Sequence, residues 1–319
     1  FTNISYLSIV SVALFPAFVY YLSLFIQVHY RSSSFAISQI DKKESYSEIE
    51  LYDLIYLIPL FGLVLMLVLG FSPTMVAAIG TCIIWLIALL NPKSELSILQ
   101  TIDVLSLATL RMIPVTAACA SAGLVIGGIT MTGLATKFSS ITFAIGGDSE
   151  LLICLFAALV TIILGLGMPT PSAYILSAVL VAPTLVDTVN APLLNVHLFL
   201  FYFAVLSAMT PPVAVAAYAA SAISESNPLS LAISAMSLSA AAFILPFAFI
   251  SMPNILYPFE NLWLVKDVFF LISSCIFISL AFSVSLANFY FYIFKVILVL
   301  ISLVLIFPEF TFKIFFLIS

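Results

Sequence analysis

Two segments of the sequence place glycine, proline and threonine in the middle of long apolar stretches. Gly165-Leu166-Gly167-Met168-Pro169-Thr170-Pro171 interrupts residues 151–186, and Ser207-Ala208-Met209-Thr210-Pro211-Pro212 interrupts residues 196–223. In each segment a threonine, which is a good helix N-cap, precedes a proline, which needs no N–H partner at the first helical position. We therefore expect each segment to end one half-helix, near Leu166 or Ser207, and to begin another.

The ends of such half-helices can bind ions. A helix start presents unpaired N–H groups and the positive end of the helix dipole, which suit an anionic substrate. A helix end presents carbonyl oxygens that can bind Na⁺ together with Ser and Thr hydroxyls. Gly165 and Gly167 would allow a sharp turn and a close approach of the backbone. The candidate Na⁺ ligands are Gly165, Thr170, Ser207 and Thr210.

A structural explanation of these segments must be weighed against the functional one, since proline also kinks membrane helices without any further role. A backbone group left unpaired in hydrocarbon costs several kcal/mol, so a broken helix persists at membrane depth only inside protein or beside a water-filled cavity. Two Thr-Pro breaks, each central in its apolar stretch, favour a binding site.

The composition places the chain in a membrane. Of its 319 residues 64% are hydrophobic and 7% are charged, and the mean hydropathy is +1.30. Such a chain cannot cover itself with polar surface, which excludes a water-soluble enzyme and a disordered chain. Nine Lys and Arg against fourteen Asp and Glu leave no basic stripe for a nucleic acid. We predict an all-α polytopic membrane protein in contact with the lipid bilayer.

The elements that must position the two breaks follow from the length of the apolar stretches, because a bilayer core needs about 20 apolar residues per helix. Residues 31–50 form a solvated loop, 91–95 are a polar break that leads through 96–111, and 132–146 are interfacial. The bias of Lys and Arg places 31–50 and 91–111 in the cytoplasm, so that 149–187 is a re-entrant hairpin open to the outside. The remaining predicted helices cover 4–28, 52–70, 74–90, a small-residue segment at 112–130, 229–251, 266–286 and 289–307.

The acidic residues, cysteines and histidines do not suggest a catalytic or metal site. The acidic residues lie at or near the ends of the apolar stretches, so a proton relay on a buried carboxylate is poorly supported and Na⁺ coupling is favoured. The four cysteines lie in apolar runs without metal-ligand spacing and are expected to be small buried hydrophobic residues. His29 and His197 are far apart, so no metal site, no catalytic residue and no cofactor is expected.

The motifs resemble those of a known family. The run from Gly165 to Tyr174 resembles the Gly-Met-Gly-Leu-Pro-Thr-Thr-Ala-Ala-Tyr run of the large membrane subunit of TRAP (tripartite ATP-independent periplasmic) transporters. The runs His197–Phe203 and Leu206–Ala214 resemble its His-Leu-Phe-Val-Phe-Tyr-Phe and Leu-Ser-Asp-Ile-Thr-Pro-Pro-Val-Ala runs. The likeness covers roughly residues 1–260 and is best to the fused permease that joins small and large subunits.

The resemblance implies one inverted repeat of an elevator-type transporter in a bacterial inner membrane. It implies Na⁺-driven import of an organic acid, delivered by a periplasmic solute-binding protein, with a small membrane subunit or its fused equivalent as partner. Because the chain begins at Phe1, we interpret it as the continuation of a longer protein, the C-terminal half of the fused form. Its implied parts are the last helix of a preceding repeat (1–30), a cytoplasmic loop (31–51), the transport repeat (52–251) with hairpin 149–187 and broken helix 196–223, and C-terminal helices (252–319).

Carried over position by position, the resemblance also implies the site. Two departures from the family runs stand out: Pro171 replaces a threonine, and Ala208 replaces an aspartate, which could alter ion coupling. Ser172 is added from its own position in the first turn after the break. The implied substrate- and ion-binding residues are Gly165, Gly167, Met168, Pro169, Thr170, Ser207, Thr210, Pro211 and Pro212.

Two other functions are alternatives to transport. An intramembrane aspartyl protease could use Asp53 and Asp148, but a Gly-x-Gly-Asp run would need glycine where Ile145 stands, and both carboxylates lie at membrane edges. A passive channel or a scaffold subunit is the other alternative, although a channel would be expected to show a ring of charged residues along its pore.

Overall fold

The computed structural model of the protein describes residues 2–34, 55, 57–90, 97–147, 149–257, 265–283 and 289–307. The regular structure of these residues is helical, as the apolar stretches predict. Short 3₁₀ helices cover Ser207–Met209 and Pro253–Leu256. The α-helices are α1 (Tyr6–Ser34), α2 (Leu57–Val68), α3 (Pro73–Leu90), α4 (Ile98–Thr132), α5 (Leu134–Gly146), α6 (Glu150–Gly165), α7 (Thr170–Leu180), α8 (Ala182–Val189), α9 (Leu193–Leu206), α10 (Val215–Ser224), α11 (Pro228–Leu238), α12 (Ala240–Ser251), α13 (Val265–Ser283) and α14 (Phe289–Ile306).

The described residues form two compact units, and the smaller one is built around α2 and α3. It comprises residues 3–12 and the described residues from 55 to 116. The tight connection between the two helices relies on Gly70, whose φ of +85° favours glycine. A Cβ at Gly80 would lie 2.7 Å from Leu63 Cδ2, so the absence of a side chain on α3 lets α2 pack closely against it.

The larger unit has α9 in its interior. It includes residues 13–34 and the described residues from 117 onward. Both Phe199 and Phe203 of α9 are fully buried, and each packs edge-to-face on Phe247 of α12 with ring centroids 5.6 Å apart. Aromatic pairs of this geometry add about 0.5–1.5 kcal/mol beyond their buried area. The helix that leads into the second break is therefore held on a rigid aromatic core.

Polar side chains inside the larger unit are paired between helices. The hydroxyls of Ser274 and Ser302 bond at 2.7 Å between α13 and α14. Gln27 of α1 donates its amide to the carbonyl of Leu238 at 2.9 Å, at the end of α11. Interhelical hydrogen bonds of this kind hold membrane helices together.

Several helices have the length and composition to cross a membrane. They are Tyr6–Ser32, Pro73–Leu90 and Lys266–Ser283. Three further pairs of helices, bent at a short break, would bring the number within the described residues to six if each pair is one span: Cys119–Thr132 with Thr136–Gly146, Thr170–Leu180 with Ala182–Val189, and Pro228–Leu238 with Ala240–Ser251. The protein is an all-α polytopic membrane protein.

The structure corrects the prediction for residues 96–130. We expected a connecting segment over 96–111 and a separate small-residue helix over 112–130, whereas α4 is one continuous helix. The polar residues near its start, such as Gln100 and Asp103, do not break the helix. Gly123, Gly127 and Gly128 have nothing within 4 Å of a built Cβ, so the close helix approach that their composition suggests is not formed by the described part of this chain.

Residues 229–251, predicted as one span, form a pair of helices bent by 45° between α11 and α12, at Ser239. No Gly or Pro marks this bend in the sequence, and the amide of Gln27 binds the Leu238 carbonyl there. Cys82 is exposed rather than buried, whereas Cys154 and Cys275 are buried. The predicted loop at 31–51 and the polar break at 91–95 fall largely or wholly outside the described residues.

Candidate functional site

The first break lies between α6 and α7. Helix α6 ends at Gly165, Leu166 leaves the helical conformation (φ −62°, ψ 117°), and Gly167 turns the chain with a φ of +77°. The sequence predicted this turn at Gly167. Helix α7 then begins at Thr170, with Pro169 in extended conformation as its N-cap and without a side-chain cap. The N-cap is therefore Pro169 and not Thr170: with φ −59° and ψ 140°, Pro169 has the non-helical backbone that an N-cap adopts, whereas Thr170 is already helical.

The start of α7 is close to α4. Ser172, fully buried in the first turn of α7, donates its hydroxyl to the thiol of Cys119 at 3.4 Å. Met168 and Thr170 are half-buried. Sequence reasoning placed Ser172 in this turn but gave no signal for Cys119, because a contact between residues 53 positions apart leaves no local pattern.

The second break follows α9. The helix ends at Leu206 and is continued by the 3₁₀ helix Ser207–Met209. Helix α10 begins at Val215, and not at Pro211 as the Thr-Pro pair predicted. Pro211 and Pro212 lie in the intervening turn and are joined by a cis peptide bond. A residue that precedes proline is disfavoured in the helical region, so Pro212 keeps Pro211 from serving as the first helical residue.

Two hydroxyls at the second break donate to main-chain carbonyls. Ser207 Oγ donates to the Ala204 carbonyl and Thr210 Oγ1 donates to the Leu206 carbonyl, each at 2.8 Å. The carbonyls at the end of α9 are therefore partly satisfied, rather than left free as predicted. A hydroxyl has one hydrogen and two lone pairs. With its hydrogen used, each of these oxygens has only acceptor capacity left, which suits a cation.

The two breaks meet. A Cβ built at Gly165 would overlap the Ser207 side chain, lying 2.7 Å from Ser207 Cβ and closer still to its hydroxyl oxygen. A Cβ at Gly167 would lie 3.6 Å from Val213 Cγ1. The two glycines of the first break therefore lie directly against the turn of the second. Of the predicted residues, Gly165 and Ser207 are brought together by this contact, and Val213 is an addition that the sequence did not indicate.

A second link joins α7 to α9 away from the breaks. Tyr174 Oη and His197 Nδ1 are 2.9 Å apart, between α7 and α9. Neither residue was among the predicted site residues. The signal that could have found them is the presence of polar groups inside apolar helices, since such groups need a partner.

Asp53 and Asp148, the carboxylates of the protease hypothesis, lie outside the described residues. Among the described residues, no group of three or more His, Cys, Asp or Glu side chains could hold a metal ion.

Two interrupted helices that meet inside a polytopic membrane protein are characteristic of secondary transporters. The family model described as "Tripartite ATP-independent periplasmic transporter, DctM component" matches residues 1–258 of the 319. The chain belongs to this family, and is thus a large membrane component of a TRAP transporter. No curated protein and no solved structure is significantly similar to the chain.

Membership of this family has consequences for function and assembly. The chain is the permease of a transporter, a multi-pass membrane protein of a transport family rather than of an enzyme family. The family implies a periplasmic solute-binding protein and a small membrane subunit as partners.

Proposed function

We propose that this permease imports an organic acid together with Na⁺, and that the two breaks form the site for both. The acid is delivered by the periplasmic binding protein, in the inner membrane of a bacterium. The observation that carries the proposal is the contact between Gly165 and Ser207, which places the turn of one broken helix against the end of another.

The chemistry of the second break supports Na⁺ as the coupling ion. Ser207 and Thr210 both use their hydroxyl hydrogens on carbonyls of α9, so their oxygens are left to accept. Carbonyls at the ends of unwound half-helices add further neutral ligands. Such a set of neutral oxygens binds a hard monovalent cation without a carboxylate, which fits the presence of Ala208 where the family run has aspartate.

The first break supports an anionic solute. The first N–H groups of a helix have no intrahelical partner, and those of α7 follow Pro169 at the turn. The positive end of the helix dipole adds to their attraction for a carboxylate. Met168, Pro169, Thr170 and Ser172 would surround such a carboxylate.

The placement of both breaks in one compact unit supports an elevator mechanism. Both breaks belong to the larger unit, which comprises residues 13–34 and the described residues from 117 onward. An elevator needs one body that contains the whole binding site and moves as a unit, so that solute and ion cross the membrane together.

Uptake measurements test the proposal. The assembled transporter is reconstituted in vesicles with its binding protein, and solute uptake is measured with and without an inward Na⁺ gradient. We expect uptake only with the gradient. Thr210→Val removes one hydroxyl at nearly constant volume, and we expect the half-saturating Na⁺ concentration to rise about tenfold or more, since hydrogen bonds and contacts to charged groups are worth about 1.5–3 kcal/mol. Thr210→Ser keeps the hydroxyl and is the matched control.

Two results would contradict this function. Uptake that is independent of Na⁺ would remove the ion from the mechanism. A solute-conducting current that persists without any gradient coupling or binding protein would favour the channel alternative.

A further inference from the structure

The hydrogen bond between Tyr174 and His197 links the two broken helices at a point away from their breaks. Tyr174 lies one turn after Thr170 in α7, and His197 lies ten residues before Ser207 in α9. At 1.5 Å per residue, ten residues correspond to about 15 Å along a helix. Helices α6, α7 and α8 all pack against α9, and the bond at His197 adds a side-chain hydrogen bond to that interface at a distance from the contact of Gly165 with Ser207.

A directional hydrogen bond restrains a helix differently from apolar packing. The contact of Gly165 with Ser207 limits how closely the two breaks approach, and the apolar packing around it is non-directional, so it opposes small tilts and rotations of the hairpin less than a directional contact does. A directional hydrogen bond some 15 Å away opposes that rotation. The distance of 2.9 Å is typical of a good hydrogen bond, and in either tautomer of the imidazole one partner donates and the other accepts.

The apolar surroundings of this hydrogen bond raise the free-energy cost of breaking it. His197 is 6% exposed, and the Tyr174 ring packs edge-to-face on both the His197 ring and that of Phe201, at centroid distances of 6.0 and 5.8 Å. A polar group in apolar surroundings costs about 1–3 kcal/mol when it loses its partner. Rotations of α7 that separate the two side chains are therefore disfavoured.

We propose that Tyr174 and His197 are positioning residues, which hold the first break at the orientation to the second that binds the coupling ion. The proposal rests on the Na⁺-coupled function proposed above. Neither side chain needs to touch the ion or the solute; the pair acts through the placement of Gly165, Thr170 and Ser207.

The test compares the half-saturating Na⁺ concentration, the maximal uptake rate and the membrane abundance of variants of the assembled transporter. Tyr174→Phe removes only the hydroxyl, and we expect the half-saturating Na⁺ concentration to rise about 3- to 10-fold, which is the range that the loss of one hydrogen bond predicts. His197→Ala should produce a rise of similar size, and the double variant should be no worse than His197→Ala alone. His197→Asn places an amide near the position of Nδ1 and should recover most of the affinity.

Tyr202→Phe is the matched control. It makes the same chemical change on α9, but Tyr202 packs against Phe249 of α12, with ring centroids 5.3 Å apart. We expect it to leave the half-saturating Na⁺ concentration unchanged.

The outcomes separate the two proposals. If the wild-type transporter needs no Na⁺, the proposed function fails. If the wild type is Na⁺-coupled and Tyr174→Phe lowers only abundance or maximal rate, the pair is merely structural and the positioning role is wrong. Additive effects of Tyr174→Phe and His197→Ala in the double variant would equally overturn it.

Discussion

Replacing Gly165 by alanine tests whether the close approach of the two breaks is required. A Cβ at this position would lie 2.7 Å from Ser207 Cβ and 3.4 Å from Ala173 Cβ. Carbon atoms pack best at about 3.5–4.0 Å, so the Ser207 side chain and the backbone that bears it must move by about 1 Å. Ser207 Cβ and Ala173 Cβ are both attached directly to the backbone and cannot rotate out of the way. The backbone of the turn must therefore move.

The magnitude follows from two opposing effects. Overpacking of a well-packed site costs about 1–3 kcal/mol. Alanine is a better helix former than glycine by up to about 1 kcal/mol, but this gain is small at Gly165 because it is the last residue of α6. We expect a net destabilisation of about 1–2 kcal/mol, which corresponds to a roughly 5- to 30-fold change in the ratio of folded to unfolded protein.

The measurements are the thermal unfolding of the purified transporter and its Na⁺-driven uptake. Gly165→Ala should lower the midpoint of unfolding by a few degrees, at about 2–4 °C per kcal/mol for a body of this size. It should also raise the half-saturating Na⁺ concentration, because the two breaks are pushed apart. Gly62→Ala is the control: this glycine of α2 has nothing within 4 Å of a built Cβ, and alanine should be neutral or slightly stabilising there.

A second substitution separates packing from ion binding. Ser207→Gly removes the two atoms that would lie closest to the new methyl group and leaves only the contact with Ala173 Cβ at 3.4 Å, so Gly165→Ala with Ser207→Gly should recover stability. It should not recover Na⁺ affinity, because the Ser207 hydroxyl is lost with the side chain. A Gly165→Ala variant that unfolds and transports like the wild type would show that the close approach of the two breaks is not required. Instability of Gly165→Ala that persists when Ser207→Gly is added would show that Ser207 is not the group the new methyl meets.

Two further predictions concern residues around the site. Asn195 is buried and donates its amide to the carbonyls of Phe249 and Pro253 at 2.8 and 2.9 Å. Asn195→Ala should lower the free energy of unfolding by about 2–3 kcal/mol and leave the half-saturating Na⁺ concentration unchanged. An unaltered midpoint of thermal unfolding would contradict the anchoring role of Asn195. Cys119 is half-buried beside Ser172. In a transporter variant whose single remaining cysteine is Cys119, the reaction of this thiol with a small thiol reagent should slow several-fold when Na⁺ and solute are present. An equal reaction rate with and without Na⁺ and solute would place Cys119 away from the site.

The sequence alone determined the features that depend on local chemistry. The lengths of the apolar stretches indicate where helices cross a bilayer, since about 20 residues are needed for each crossing. Glycine and proline mark the interruption at 165–171, and proline marks the one at 207–212. Glycine allows backbone conformations that other residues rarely adopt, and proline fixes φ and removes an N–H donor, whatever surrounds them. The turn at Gly167 and the end of α6 near Leu166 followed from these residue types.

Only the tertiary structure decided which of these residues meet. The contact of Gly165 with Ser207 and the bond between Tyr174 and His197 join residues that are 42 and 23 positions apart. The bend at Ser239 has no breaker in the sequence and lies where Gln27 binds the preceding carbonyl. Contacts of this kind depend on how the helices pack, and the local spacing of residues does not determine helix packing. The sequence therefore predicts where the two breaks lie, and the tertiary structure decides which of their residues come into contact.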